Sequence, residues 1–267
     1  MRKLVMYFSL SFLAFGCLSK TEKSSNSKDS LVNKGDQSNS YKDIVDTLKE
    51  ASFSYPIIES PKEDLIEFIP TGWVILDSVS FDYDNDSLID YVVIIETIKN
   101  VEYSKMWGTT ESEMNDKPRV LFVLNGTKNG FSLTCQANEL ILTSDQGGMM
   151  GDPYQGISVS DNRICTSFWG GSGEKWNLSH CFDYQENNWV LSFTETSGGN
   201  AELMYRMSYD LKTGNYFYEY LEEKHLESED STKIVKDEKY SKQICVENDI
   251  LMDSFRPWTL EIDSVFF

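Results

Sequence analysis

The residues best suited to chemistry are Asp82, Asp84, Asp86 and Asp90, at positions 1, 3, 5 and 9 of Asp82-Tyr83-Asp84-Asn85-Asp86-Ser87-Leu88-Ile89-Asp90. Carboxylates alternating along a tight loop can wrap a hard cation in oxygen. Crowded this closely they repel one another unless something neutralises them. The competing reading is a solvated Asp/Asn turn, a common feature of β proteins. The loop leads directly into Tyr91-Val92-Val93-Ile94-Ile95, an apolar strand, so an ion here is expected to brace structure before it serves a reaction.

Other reactive constellations are thin. His180 and His225 are the only histidines, and His180 falls on a strand face where packing is a better expectation than proton transfer. Gly170-Gly171-Ser172-Gly173 reads as a hairpin turn, not as a strand-to-helix nucleophile elbow. No phosphate-cradling glycine loop, paired-histidine zinc motif or zinc-type cysteine spacing occurs. Asp145 and Asp152 bracket Gly147-Gly148-Met149-Met150-Gly151 next to Tyr154, so Asp145, Met149, Met150, Asp152 and Tyr154 form a candidate binding loop. A plain surface turn is the bland alternative. With 43 Asp and Glu, a carboxylate pair for polymer hydrolysis stays open, because spacing along the chain does not report distance in space.

The elements that must position these groups are mostly strands. Apolar residues at 41, 44, 45 and 48 predict a short amphipathic helix over 41–51. Ser60-Pro61-Lys62-Glu63 reads as the cap of a second short helix, ended by Pro70. From Trp73 the period shifts to that of strands: 118–124, 131–135, 139–143, 164–169, 178–184, 189–194, 203–211, 215–221 and 262–267. The charged stretch 222–242 reads as an excursion or a solvated hairpin. Ile262 to Phe267 is apolar, so the C-terminal residues are expected to dock. The fold class is therefore mostly β: antiparallel sheets, as a sandwich or propeller-like fragment, with two short N-terminal helices.

One hairpin can be registered from sequence. Centring the turn on Gly173 sets Ile164 opposite Phe182, Thr166 opposite His180 and Phe168 opposite Leu178 on one side. The other side then pairs Arg163 with Asp183, Cys165 with Cys181 and Ser167 with Ser179. An apolar face, an ion pair and a cysteine pair emerging together support that register. It favours a Cys165–Cys181 disulfide and leaves Cys135 and Cys245 to form a second; four buried free thiols are the alternative.

Arg2 and Lys3 precede a short apolar stretch from Leu4 to Phe15, which reads as a secretory signal over residues 1–16. The following Ala14-Phe15-Gly16-Cys17 resembles the lipobox of bacterial lipoproteins, which implies lipidation of Cys17 with palmitate among the acyl chains. Residues 17–40, rich in Ser, Lys and Asn, form a flexible tether, and 41–267 a single β-rich domain. A lipid-anchored position in the bacterial cell envelope follows, at the outer membrane or cell surface, with membrane contact through the anchor alone. The net charge of −19 argues against nucleic acid and anionic lipid surfaces as partners.

The stretch Ser78 to Val93 resembles the calcium loop of FG-GAP/VCBS-type repeats, which build blades of β-propellers, and Leu121 to Phe131 resembles such a repeat's closing hairpin. The resemblance implies calcium held by the carboxylates of Asp82, Asp84, Asp86 and Asp90 and the backbone carbonyl of Leu88. Phe81 and Ser87 replace glycines of that pattern, and one copy of the repeat does not make a propeller. Gly147 to Tyr154 and Phe168 to Ser172 are similar to stretches in uncharacterised bacterial exported proteins. The reading that follows is an envelope lipoprotein with a calcium-stabilised β domain that binds a protein or glycan partner, without catalysis. The alternatives are a carboxylate-dependent hydrolase of an envelope or extracellular polymer, and an inhibitor or immunity lipoprotein.

Overall fold

The computed structural model describes residues 53–267, apart from Gly108, Thr109, Asp161, residues 226–231 and Glu247. The expected signal, Cys17, the tether and the helix over 41–51 lie outside the described residues.

Strands β1 (Trp73–Phe81) and β2 (Asp90–Thr97) flank the Asp loop, and β3 (Val101–Trp107) and β4 (Thr110–Asp116) make a separate hairpin. The chain then returns as β5 (Arg119–Thr127) and β6 (Gly130–Ala137), completing an antiparallel sheet of order β1-β2-β5-β6. Seven further strands form an antiparallel meander: β7 (Tyr154–Ser160), β8 (Arg163–Gly171), β9 (Lys175–Gln185), β10 (Asn188–Gly199), β11 (Leu203–Asp210), β12 (Asn215–His225) and β13 (Thr232–Gln243). A small hairpin, β14 (Glu261–Ile262) and β15 (Val265–Phe266), closes the described chain with Phe267 buried.

The continuous apolar run of β2 is explained by its surroundings. Val92 and Ile94, with Leu121 and Val123 of β5, pack against Phe168, Leu178, Phe182 and Leu191 of the large sheet. Val93 and Ile95, with Val120 and Phe122, face the opposite way and are covered by Ile58 and Phe68. A strand buried on both faces has no polar side to alternate with. The small sheet is thus a middle layer between the segment before β1 and the large sheet.

The 163–183 hairpin has the register read from sequence: Arg163 pairs with Asp183, Cys165 with Cys181, and Phe168 with Leu178. The Cys165–Cys181 disulfide is formed. Asp183 receives Arg163 Nε at 2.6 Å and also pairs with Lys212. Burial alone would raise its pKa, but these cations and the Ser192 hydroxyl pull it down to about 2. The described parts of the stretch 222–242, up to His225 and from Thr232, pair as β12 and β13 in a solvated hairpin, one of the two forms expected.

Four expectations are corrected. The single strand expected over 262–267 is the β14–β15 hairpin, turned at Asp263 and Ser264 with φ 54° and 66°. The helix expected after Ser60 is a single 3-10 turn, Leu65–Phe68, with its capping box on Asp64 and Glu67. Residues 60–62 stay extended because Lys62 exchanges two backbone hydrogen bonds with Phe131, and Ser60 Oγ accepts Leu133 N–H at 2.7 Å. The strand expected over 139–143 is absent. Leu140, Ile141 and Leu142 are buried, and the Ile141 and Leu142 carbonyls accept from Lys105 and Arg119 side chains instead of from a neighbouring strand. Cys135 and Cys245 are free thiols: Cys135 packs into the core from β6, whereas Cys245 is exposed beyond the end of β13.

His180 is a core residue. Its Nδ1 lies 2.9 Å from Thr194 Oγ1, its ring packs on Phe255, and Nε2 meets no hydrogen-bond partner among the described residues. Burial pushes its pKa from 6.5 down to about 3. Between those values the unfolded chain binds a proton that the folded chain refuses, so stability falls as pH drops below 6.5. His180→Leu should remove this contribution. In urea unfolding at pH 7 and pH 5, the variant should lose about 2 kcal/mol less than the parent on acidification. Equal losses would show that His180 does not titrate this way.

Candidate functional site

The Asp loop occupies the turn between β1 and β2. One carboxylate oxygen each from Asp82, Asp84 and Asp86 lies within 4.8 Å of the others. Backbone N–H groups help to hold them there: Asp86 donates to Asp82 Oδ1 at 3.1 Å and Asp84 Oδ1 at 3.2 Å, and Ser87 donates to Asp82 Oδ2 at 3.1 Å. Leu88 N–H donates to Asp86 Oδ1 at 2.7 Å. The coil this requires puts Asn85 at φ 61° and Ser87 at φ 70°. Ser87 thus takes the left-handed conformation that glycine adopts freely, at a cost of about 1 kcal/mol. The donor set is all hard oxygen, which fits a calcium- or magnesium-like ion and not a thiolate-seeking metal.

Asp90 is not among the three converging acids. It is fully buried at the start of β2, where Oδ2 accepts Tyr83 N–H at 2.9 Å and Oδ1 accepts Gly126 N–H at 2.7 Å. Desolvation raises its pKa, and the Gly126 and Tyr83 amides oppose that rise. Gly126 is required here: a Cβ at this position would stand 2.5 Å from the Ile89 carbonyl oxygen. Beside it, Asn125 Nδ2 donates to Asp84 Oδ2 at 2.9 Å and reaches Asp90 Oδ1 at 3.4 Å, linking the outer acids to the buried one. Tyr83 points into the core, its ring 5.1 Å from Trp189 and 4.5 Å from Tyr184. The loop is thus attached to both sheets. The supporting roles of Asn125 and Gly126 were not anticipated, although Asn-Gly after an apolar strand is a visible signal.

The candidate binding loop is divided by the structure. Met149 is exposed and Asp145 N–H donates to the buried Asp116, while Asp152 and Tyr154 are anchors. Arg119, buried on β5, donates to Asp152 at 2.5 and 2.9 Å, to Glu96 at 3.2 Å and to the Leu142 carbonyl at 2.8 Å. Burial would lower the guanidinium pKa, but contact with Asp152 and Glu96 leaves it raised. Asp152 is held below the usual carboxylate range: burial would raise it, and Arg119 and the Tyr154 amide more than offset this. Tyr154 hydroxyl donates to Asp77 Oδ2 at 2.7 Å, with Arg119 over its ring. Of the five residues, Asp145, Met149, Met150 and Asp152 are exposed and Tyr154 is half-buried, so the two methionines are the exposed part that takes no share in these anchoring bonds.

A second feature lies on the outer face of the large sheet, away from the core. A groove of about 300 Å³ crosses β7 to β10, with Gln155, Trp169, Asn177, Ser179, Glu195 and Ser197 in its lining. The only carboxylate in that lining, Glu195, accepts two hydrogen bonds from Arg206, at 2.7 and 3.0 Å. The Ser167–Ser179 pairing was legible in the hairpin register, but the groove was not, since it needs β7 and β10 alongside.

Comparisons with protein-family models, with curated proteins and with solved structures find no match for this chain.

Two predictions separate the roles of these acids. Asp90→Ala orphans two N–H groups and should destabilise the domain by about 2–4 kcal/mol with or without calcium. Asp84→Ala should cost little in a chelator but abolish any calcium-dependent rise in melting temperature; calorimetry on both variants distinguishes them. At the second loop, Arg119→Met removes the buried cation from Asp152 and Glu96 and leaves the Leu142 carbonyl without its side-chain donor. It should lower unfolding free energy in urea by about 3 kcal/mol, the lower end for a buried pair because Asp152 is partly exposed.

Proposed function

We propose that this chain is a non-catalytic binding lipoprotein of the bacterial cell envelope, anchored through Cys17, with a β domain braced by calcium. The observation that carries the reading is the convergence of Asp82, Asp84 and Asp86 on a loop tied to both sheets. A divalent cation there, held by the three carboxylates with the Leu88 carbonyl in support, relieves their mutual repulsion and stiffens the entry to β2. Asp90 serves this brace from behind, through the backbone it caps.

The disposition of the other acids supports binding over hydrolysis. Asp152, Asp183, Glu195 and Glu219 each face a cation at hydrogen-bonding or ion-pair distance. Paired acids of this kind hold structure together and lack the freedom of a proton-transferring pair. The outer groove, with neutral hydroxyl and amide walls, supports recognition of a partner.

The test uses the full-length chain. Palmitate label should be incorporated by the parent and lost in Cys17→Ser, with the variant leaving the membrane fraction. The parent immobilised on beads should retain a partner from envelope extract more strongly in calcium than in chelator, and Asp84→Ala should abolish that difference. Label that persists in Cys17→Ser, or retention indifferent to both calcium and Asp84, would overturn the corresponding half of the reading.

A further inference from the structure

We propose that the outer face of the seven-stranded sheet is a glycan-binding face, and that the groove across β7 to β10 seats a segment of an uncharged polysaccharide on Trp169. This rests on the binding reading above and names its ligand class.

The lining chemistry selects the ligand. Cross-strand pairing sets Trp169 opposite Asn177, Asn177 opposite Ser197, and Ser179 opposite Glu195, so an indole is bordered by amide and hydroxyl groups. Hydroxyls and amides both donate and accept, and match a ligand whose own groups do both. Trp169 is 37% exposed, and its backbone is held by a 2.8 Å bond to the Pro153 carbonyl. A sugar ring has an apolar C–H face to lay on an indole and a polar rim to meet the surrounding side chains.

Charge narrows the class further. The chain carries −19, which repels polyanions, yet the charges along this row cancel. Arg206 neutralises Glu195, and Lys239 neutralises Glu219 at 2.7 Å. The occupant is therefore uncharged. A peptide strand is disfavoured because the groove crosses the faces of the strands, and β8, β9 and β10 beneath it are already paired on both sides; the one open edge, on β7, runs along the sheet's border and not along the groove. Strands repeat about every 4.8 Å across a sheet, close to the length of one pyranose unit, so a glycan laid across them meets a new strand with each sugar. The Cys165–Cys181 disulfide joins β8 to β9 next to the Ser167–Ser179 pair and limits reorganisation on binding.

The test titrates the full-length chain, in a detergent without a sugar headgroup, with neutral hexasaccharides: β-1,4-linked glucose, β-1,4-linked N-acetylglucosamine and α-1,4-linked glucose. Hexagalacturonate is the anionic control, and heat and tryptophan fluorescence are followed. At least one neutral sugar should bind, more tightly in calcium than in chelator, and Trp169→Ala should weaken it about tenfold. Ser197→Arg, which fills the groove from an outward-facing position, should do the same with an unchanged melting temperature, and answers the question even if Trp169→Ala misfolds. No saturable neutral binding, binding of the anionic sugar alone, or binding indifferent to Ser197→Arg would overturn the proposal. Shortening of the hexasaccharide would overturn the non-catalytic reading while leaving the groove a sugar site. Recovery of a Trp169-dependent protein without any sugar binding would overturn the glycan and keep the binding reading.

Discussion

The Asp90 carboxylate is buried where the Asp loop enters the small sheet, and two backbone N–H groups from different parts of the chain depend on it. Tyr83 N–H belongs to the loop and Gly126 N–H to the end of β5, so one side chain joins a local turn to a strand 36 residues away. A buried amide without an acceptor costs about 1–3 kcal/mol, and here two would be orphaned together. Asn125 extends the link outward to Asp84, and Tyr83 extends it inward to Trp189. The exposed acids owe their placement to this buried one, so a cation at the surface would act on a frame already set from beneath.

The same economy governs the region around 139–154, where a buried stretch has no strand partner. Side-chain cations take the place of a ladder there: Lys105 reaches the Ile141 carbonyl and Arg119 the Leu142 carbonyl. Lys105 is buried enough for desolvation to lower its pKa to about 8, while Arg119 keeps its charge through Asp152 and Glu96. These contacts explain why Asp152 and Tyr154, polar residues beside a glycine-rich turn, are fixed anchors. The glycine-rich turn from Gly147 to Gly151 is held by the groups on either side of it.

Next to this region, the groove across β7 to β10 turns a hydroxyl- and amide-lined surface to solvent in an otherwise acidic protein. Glu195 and Glu219 are paired across strands with Arg206 and Lys239, and the Trp169 indole stands open. Such a face buries nothing of the core, and its composition is free to serve recognition. The inner face carries Ile164, Phe168, Leu178 and Phe182 and has no such freedom.

What the sequence by itself determined was local or periodic. The 163–183 hairpin could be registered because apolar, charged and cysteine residues each demanded the same alignment, and a slip of one residue would have reversed every face. The 222–242 stretch was legible as one of two forms, an excursion or a solvated hairpin, and the apolar C-terminal residues as docked, though not as the hairpin they form. Tertiary structure alone decided the rest. Asp90 was indistinguishable from the other acids until β5 was placed beside it. The 60–69 helix yielded to a pairing between Lys62 and Phe131, and Cys135 and Cys245 were left apart, one packed on β6 and the other exposed past the end of β13. Spacing reports which groups can meet within one turn or hairpin. Which of them lose water, and to which distant partner they turn, is settled when the sheets pack.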